Sequence, residues 1–444
     1  MNEALLLNAY RHHQSGNLAE AARLYRDILR ADPKHFDALC MLGHLYFQRG
    51  EKDEASRAAD AALLCEPRLP NAHYNLGCLL QGLERHRDAI ESFGKALALK
   101  PQYFEALVNR GTSLLALEMT AEALDVFDRA LAIRPKEAGL WNNRGNALMW
   151  LGRCDDAVES YDRALALKPN YGDAWGSRGN ALLALGRNED ALASYDKALA
   201  MPPGTASLWT NRGIAQYRLK QFAASLASLD AATMFDANRA DTLFHRGNAL
   251  SELKRYDEAL TALDASLTIK PDEPDTLVSR GVALAALARQ DEALASYDQA
   301  LRLKEDCVEA LINRGTLLFG LKRFEEATRD YERALALDPD IPYIRGNLAV
   351  YKLLSCDWRT LENDRARIAA GLLTGKPVIL PFPNLALSRS MMDQLQCARI
   401  WAKRELPSVP ALWRGERYRH GRIRIAYLSA DFHGHATEIG RAHV

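Results

Sequence analysis

Apolar residues follow a helical period of about 3.6 residues in paired segments, each roughly a dozen residues long, through most of the chain. The two segments of a pair are separated by a short turn, which is glycine at positions 16, 50, 152 and 186. One such helix pair cannot bury its own apolar face, so the pairs must stack on one another to form a core. The pattern therefore predicts an all-α protein built from helix hairpins.

The hairpins recur every thirty-four residues without an insertion or deletion, as the segments at 143–169 and 177–203 show. A column of small residues, including Gly145, and a second column, including Ala157, predict close approach of the two helices, with large residues such as Tyr161 filling the gaps. A third column is mostly proline and predicts where the second helix stops, because proline lacks the N–H group and clashes with the preceding turn. Ten repeats are predicted within residues 2–341.

This pattern resembles the tetratricopeptide repeat family. The resemblance implies a right-handed superhelix of about ten helix hairpins, whose first helices line a concave groove.

One polar column of the predicted first helices has the chemistry of a binding site. Two residues before the glycine column, a carboxamide recurs; the six asparagines are Asn75, Asn109, Asn143, Asn211, Asn313 and Asn347. A carboxamide is both a donor and an acceptor, so a row of them can bind the backbone of an extended peptide whatever its side chains are. Alternatively, these residues bond the backbone of neighbouring helices. Trp141, Trp175 and Trp209 also recur and are predicted to be core residues.

An arginine column and an acidic column begin and end together. The arginines run from Arg110 to Arg314, and acids from Asp128 to Glu332 lie eighteen residues after each. Pairing with the preceding repeat would place Gly94 opposite Arg110, so the sequence predicts charge pairs within each repeat, such as Arg178 with Asp196. Asp60 has no partner in this scheme. Such pairs set the register of the helices more than they add stability.

The thirty-four-residue period fails after residue 341. We expect terminal helices at 342–375, a linker and connecting helix at 376–421 and the start of another domain at 422–437. Prolines in KPVILPFPN predict that residues 376–387 are extended. The alternating pattern of residues 422–428, RIRIAYL, predicts a buried β-strand.

Three segments of this region, NLAVYKLLSCDW, the PFP linker and GRIRIAYLSADFHGHAT, resemble bacterial O-GlcNAc transferases of the SPINDLY-like group in glycosyltransferase family 41. The resemblance implies a GT-B enzyme with two Rossmann-like halves that transfers N-acetylglucosamine from UDP-N-acetylglucosamine to protein serine or threonine. The repeat array would then bind extended segments of acceptor proteins. SPINDLY-type relatives also imply GDP-fucose as an alternative donor, and a stand-alone peptide-binding scaffold is the alternative function.

The motif residue that this resemblance implies as catalytic is His435 in DFHGHAT. Its expected position is the first strand-to-helix turn, on the side where ligands bind in such sheets. An ordinary turn histidine, or half of a metal site with His433, is the alternative interpretation. We expect no cofactor and no metal beyond the donor substrate.

The seven residues EIGRAHV at 438–444 are unlike the apolar helix that the family implies after HAT. We interpret them as a disordered, non-native tail from the end of a sequenced DNA fragment. One strand cannot form a sheet. The sequence therefore predicts the acceptor-binding arm of a transferase, catalytically incomplete within these residues.

Charge and composition limit the partners. Lysine plus arginine equal aspartate plus glutamate at 57 each, which argues against nucleic acid and anionic membranes as partners. The seven cysteines are dispersed, and no run of eighteen apolar residues occurs. We expect a cytoplasmic protein. The sequence does not indicate the acceptor proteins or the oligomeric state.

Overall fold

A computed structural model describes residues 2–65 and 67–405. The chain divides into two compact units, of which the first ends at Leu321 and the second begins at Lys322. Every regular element within the described residues is a helix. No described helix combines the length and the apolar character that crossing a membrane requires.

Among the described residues the first unit consists of nine helix hairpins, in each of which the first helix packs against the second, and one further first helix. The first helices are α1 (Asn2–Gln14), α3 (Phe36–Gln48), α5 (Pro70–Gly82), α7 (Phe104–Ala116), α9 (Ala138–Trp150), α11 (Gly172–Ala184), α13 (Ala206–Arg218), α15 (Ala240–Glu252), α17 (Pro274–Ala286) and α19 (Val308–Gly320). The second helices are α2 (Leu18–Ala31), α4 (Lys52–Leu63), α6 (His86–Leu99), α8 (Thr120–Ile133), α10 (Cys154–Leu167), α12 (Asn188–Leu199), α14 (Phe222–Phe235), α16 (Tyr256–Ile269) and α18 (Gln290–Leu303).

Most glycines of the column leave space for a large side chain from the second helix of the same repeat. A Cβ atom on Gly145 would lie 2.5 Å from Cε1 of Tyr161, whose side chain is fully buried. Gly213 is related in the same way to Leu229, at 2.8 Å. The expected close approach of the two helices is therefore confirmed, but the large residue fills the gap inside its own hairpin.

The turn between the two helices of a hairpin requires one residue with a left-handed backbone conformation, that is, a positive φ. Gly152 has a φ of +71°, a conformation that costs glycine little because it has no Cβ atom. In other hairpins the turn residue is not glycine, and Glu118 and Ala288 adopt φ values of 59° and 58°. The turn geometry is thus imposed by helix packing even where the residue disfavours it.

The predicted pairing of charges within a repeat is wrong. Arg178 Nε donates to Oδ1 of Asp162 in the preceding repeat at 2.7 Å, and its Nη1 donates to Oγ of Ser194 in its own repeat. Asp196 instead accepts from Arg212 at 2.7 Å. The same pairing joins Arg144 to Asp128, Arg246 to Asp230, Arg280 to Asp264 and Arg314 to Asp298. Each arginine therefore links two successive repeats.

The ends of the two columns explain why the prediction failed. It assumed that every member of one column has its partner in the other column, but Arg110 Nε is buried and has no hydrogen-bond partner within the described residues. Glu332 forms an ion pair with Lys352 at 3.0 Å, although Lys352 does not belong to the arginine column. Asp60, predicted to have no partner, pairs with Arg85 at 2.6 Å.

The repeated tryptophans are half-buried, so the prediction that they are core residues is only partly correct. Trp141 Nε1 donates to the carbonyl oxygen of Pro135 at 2.8 Å, and Trp175 does the same to Pro169 at 2.9 Å. The Trp175 ring also lies under the ammonium group of Lys197 at 4.1 Å. These rings close the junction between repeats and remain partly in contact with solvent.

The second unit contains helices of unequal length, from 7 to 15 residues among those described. They are α20 (Phe324–Leu337), α21 (Ile344–Leu354), α22 (Leu361–Leu373), α23 (Pro381–Leu387) and α24 (Met391–Glu405). Inside this unit Lys352 is 9% exposed at its side chain and lies between Glu332 and Asp364, with Thr360 Oγ1 at 3.1 Å from its Nζ. This buried cation is satisfied by groups from three helices or helix ends.

The prediction that residues 376–387 are extended is wrong for its second half, because Pro381–Leu387 form α23. Pro381 occupies the first helical position, where the N–H group that proline lacks has no helical partner and where its fixed φ suits a helix. Prolines in a first turn therefore start a helix here.

The residues before α23 pack against α21 and α22 of the second unit. The backbone N–H of Gly346 donates to the carbonyl oxygen of Val378 at 2.9 Å, and that of Tyr343 donates to Pro377 at 2.6 Å. Val378 and Ile379 are buried, and Gly346 and Gly371 provide the space for them. A short extended segment is thus part of the core.

The predicted strand at 422–428, the predicted domain start at 422–437 and the predicted tail at 438–444 lie outside the described residues.

Candidate binding surface

The first helices of the first unit form one continuous surface. Each first helix from α1 to α17 contacts the first helix of the next repeat as well as its own second helix, as α9 does with α11. Successive second helices do not make comparable contacts within the described residues. The first helices are therefore closer together, and we call the surface that they share the inner face.

The asparagine column lies on these first helices. Five members belong to the first unit and are Asn75, Asn109, Asn143, Asn211 and Asn313; we call these five the asparagine ladder. All five side chains are half-buried. The sixth predicted residue, Asn347, is half-buried on α21 of the second unit.

Two ladder amides are held by the preceding repeat. Asn109 Nδ2 donates to Sγ of Cys78 at 3.4 Å and to the hydroxyl of Tyr74 at 3.3 Å. Asn211 Nδ2 donates to Oδ1 of Asn180 at 2.9 Å. Among the described residues, neither Oδ1 atom accepts a hydrogen bond and no ladder side chain bonds a helix backbone. The alternative predicted from the sequence, a bond to the backbone of a neighbouring helix, is thus not seen within the described residues, but Asn109 and Asn211 do link successive repeats through their side chains.

A second layer of polar residues, which the sequence analysis missed, supports the ladder. The hydroxyl of Tyr195 donates to Oδ1 of Asn180 at 2.8 Å, and the hydroxyl of Tyr161 donates to Asn146 in the same way. Burial raises the pKa of Tyr195 above its usual value, so its hydroxyl keeps the proton that it donates. The signal was present in the sequence, because Asn146 and Asn180 each follow the ladder position by three residues.

An exposed aromatic residue lies beside the ladder. Trp150 follows Asn143 by seven residues, so the two share one face of α9. The Trp150 side chain is 71% exposed, whereas the repeated tryptophans of the array are half-buried. Asn143 itself makes no side-chain hydrogen bond within the described residues. Together they provide an unoccupied amide and an apolar ring.

The ladder position changes chemistry in other repeats. His245 occupies it on α15, and burial lowers the pKa of this imidazole. A neutral imidazole still has one donor and one acceptor, as a carboxamide does. In the first two repeats, by contrast, the position is Leu7 and Met41, which cannot bond a peptide backbone.

The predicted catalytic residue His435 lies outside the described residues, as does His433. Within the described residues no group of three or more histidine, cysteine, aspartate or glutamate side chains could hold a metal ion.

Comparison with known families identifies the repeats. Four models described as tetratricopeptide repeat match the chain, at residues 74–138, 142–206, 177–240 and 210–274 for one model and at 12–76, 308–341 and 274–307 for the other three. No curated protein is similar enough to count as a match.

Solved structures of repeat proteins are also similar. YrrB, a TPR protein with an unusual peptide-binding site, is 25% identical over 42% of this chain and 95% of its own, with a TM-score of 0.38. Yeast Tom70 is 16% identical over 90% of this chain and 94% of its own, with a TM-score of 0.41. The Cut9–Hcn1 complex of APC/C is 16% identical over 78% and 75%, with a TM-score of 0.47. TM-scores this low carry no argument about function. The matches to the repeat models cover most of the chain, which belongs to the tetratricopeptide repeat family.

Proposed function

We propose that the inner face of the first unit binds extended polypeptide segments, with the asparagine ladder bonding the peptide backbone. The observation that carries this proposal is the state of the Asn109 and Asn211 amides, whose Nδ2 atoms are held by the preceding repeat while Oδ1 accepts nothing within the described residues. A carbonyl oxygen fixed in this way suits a peptide N–H donor. Because every residue except proline has that N–H group, the device selects extended backbone and not sequence.

The ladder predicts which chemical change in a peptide weakens binding. N-methylation of alternate backbone amides removes donors without changing side chains, so it should lower affinity, whereas exchanging polar side chains should have little effect. Each lost hydrogen bond is worth about 0.5–1.5 kcal/mol. Fluorescence anisotropy with labelled peptides, plain and N-methylated, measures both effects.

Replacing Asn109, Asn143 and Asn211 together with alanine should lower peptide affinity about tenfold or more, since three such bonds are lost. The melting temperature should fall only slightly: Asn109 and Asn211 also lose hydrogen bonds to the preceding repeat, but these side chains are only half-buried. A matched control is Asn170→Ala with Asn238→Ala, in exposed turns between repeats. A large loss of stability with unchanged peptide affinity would show that the ladder is structural.

We further infer that these peptides are acceptor segments of a protein O-GlcNAc transferase, with serine or threonine as the modified residue. Support comes only from the resemblance of residues 342–437 to glycosyltransferase family 41. An acceptor hydroxyl is a weak nucleophile, so holding the acceptor in place would be a real contribution to catalysis. A stand-alone scaffold for extended peptides is the second candidate, favoured by the same ladder, and GDP-fucose is the alternative donor.

Incubation of the 444-residue chain with labelled UDP-N-acetylglucosamine or GDP-fucose and a ladder-binding acceptor peptide tests the enzymatic proposal. We expect peptide binding without transfer, because only one strand of a nucleotide-binding half is predicted in these residues. Turnover that disappears in a His435→Ala variant would contradict this expectation and identify His435 as catalytic.

A further inference from the structure

The first two repeats contain a cavity of about 330 Å³ that differs in chemistry from the asparagine ladder. Leu6, Leu7, Tyr10 and Met41 line it, with the carboxylates of Glu3 and Asp37. Leu7 and Met41 occupy the ladder position, so the inner face is apolar at the point where later repeats have amides. Leu7 and Met41 can pack against an apolar side chain but cannot hydrogen-bond a peptide backbone.

The apolar residues of this cavity are accessible. Leu7 is 53% exposed and Tyr10 is 43% exposed, although both lie on a helix whose other face is packed in a core. Large exposed apolar side chains that converge on one cavity are typical of binding sites. A volume of about 330 Å³ is at the lower end for ligand sites and suits one or two side chains of a peptide.

The carboxylates indicate the charge of the occupant. Glu3 and Asp37 are exposed and form no ion pair within the described residues. At the same position of later repeats, Glu105 pairs with Arg134 at 2.9 Å and Asp241 pairs with Arg239 at 2.7 Å. Negative charge in a first helical turn stabilises the helix, but that role leaves the carboxylate oxygens able to bind a cation.

We propose that this cavity, which we call the N-terminal pocket, binds a peptide segment in which a leucine- or phenylalanine-sized side chain is flanked by lysine or arginine. The apolar side chain packs against Leu7, Tyr10 and Met41, and the basic group lies between Glu3 and Asp37. The N-terminal pocket thus selects sequence, which the ladder does not. The proposal is independent of the ladder, because it uses none of the ladder residues.

Three labelled peptides of equal length on a glycine–serine background test the proposal by fluorescence anisotropy. One contains leucine with two lysines, one contains leucine with two glutamates, and one contains alanine with two lysines. We expect the leucine–lysine peptide to bind about tenfold more tightly than either of the others. Its affinity should fall as salt rises, because exposed charges are screened. Equal affinities for the three peptides would overturn the proposal.

Variants of the N-terminal pocket assign the effect to these residues. Leu7→Asn, which introduces the ladder residue, should weaken the leucine–lysine peptide about fivefold. Glu3→Gln with Asp37→Asn should weaken it about two- to tenfold and remove most of the salt dependence. Asp173→Asn, at the same position on α11, is the matched control and should have no effect.

Two further outcomes separate this proposal from others. The alanine variant of Asn109, Asn143 and Asn211 should retain selectivity for leucine with lysine, even if it loses the backbone contribution. If Leu7→Asn abolishes self-association in light scattering but leaves peptide affinity unchanged, the occupant is a second copy of the chain and the proposal is wrong. If Leu7→Asn unfolds the terminal hairpin, the variant Glu3→Gln with Asp37→Asn still tests the proposal, because both of these side chains are exposed.

Discussion

Two helix glycines, Gly145 in the first unit and Gly346 in the second, have different packing partners. In the first unit Gly145 admits the ring of Tyr161 from the next helix, and the same relation recurs at Gly111, Gly179 and Gly281. In the second unit Gly346 admits Ile379, whose Cα atom would lie 2.8 Å from an added Cβ. A side chain can adjust its torsion angles, whereas a backbone segment bonded at Val378 cannot. The repeated contact of the first unit should therefore tolerate an added methyl group better than the contact of Gly346, which occurs once in the second unit.

Gly346→Ala should have the largest effect on stability. The new methyl group meets the backbone of Ile379 and displaces the segment that bonds to α21, so we expect a loss of about 3 kcal/mol. Urea unfolding followed by circular dichroism measures the loss, and hydrogen exchange shows whether the Gly346 amide loses protection. Unchanged protection with normal stability would mean that this segment is not a fixed part of the core.

Gly145→Ala should have a smaller effect, about 1–2 kcal/mol, because the Tyr161 ring can shift although it is fully buried. Gly139→Ala is the control on the same helix: a Cβ atom there meets nothing within 4 Å. Alanine favours a helix over glycine, so the control should be neutral or slightly stabilising. A loss at Gly145 as large as that at Gly346 would remove the distinction between the two units.

The sequence predicts the repeated first unit better than the second unit. Repetition made the helix hairpins, the ladder positions and the role of Gly145 predictable, since each copy tests the others. It could not identify the partner of Arg178, because Asp162 and Asp196 lie sixteen and eighteen residues away and only packing selects between them. In the second unit no copies exist, and the prolines predict an extended segment where Pro381 in fact begins a helix.

The candidate site was predicted in the same partial way. The sequence located the ladder, but not the hydrogen bond from Tyr195 to Asn180 that supports it, because a tyrosine in a core column gives no sign of its hydroxyl partner. The exposed ring of Trp150 was also missed, since it recurs in no other repeat. Hydrogen-bond partners, and features without copies, are thus what the sequence does not determine.

A double-mutant cycle tests whether the repeats are linked by Arg178. Arg178→Gln with Asp162→Asn should show a coupling of about 0.5–1 kcal/mol, since Arg178 is 19% exposed and Asp162 is 53% exposed at its side chain. The same cycle with Asp196→Asn should show almost none, because Asp196 bonds Arg212. Urea unfolding at low and high salt provides the measurement. Coupling to Asp196 alone would restore pairing within repeats.

The smallest expected effect is a dependence on pH that should distinguish the two units. Burial lowers the pKa of His44, although its ring hydrogen bond to the Asn75 carbonyl works in the opposite direction. The unfolded chain therefore binds a proton near pH 6.5, which is the usual histidine pKa, while the folded protein binds it only at lower pH. The stability that neutral His44 contributes is therefore fully present above pH 6.5. It is lost as the pH falls from 6.5 towards the lowered pKa of the folded protein.

Residues 342–405 contain no histidine, so α21 and α22 should not share this loss. Hydrogen exchange at pH 7.5 and 5.5, corrected for intrinsic rates, should show weaker protection at the lower pH in α3 and α5, and less weakening in a His44→Gln variant. Glutamine can still donate to the Asn75 carbonyl but takes up no proton, which isolates the charge from the hydrogen bond. Equal acid sensitivity in both proteins would exclude His44 as the cause.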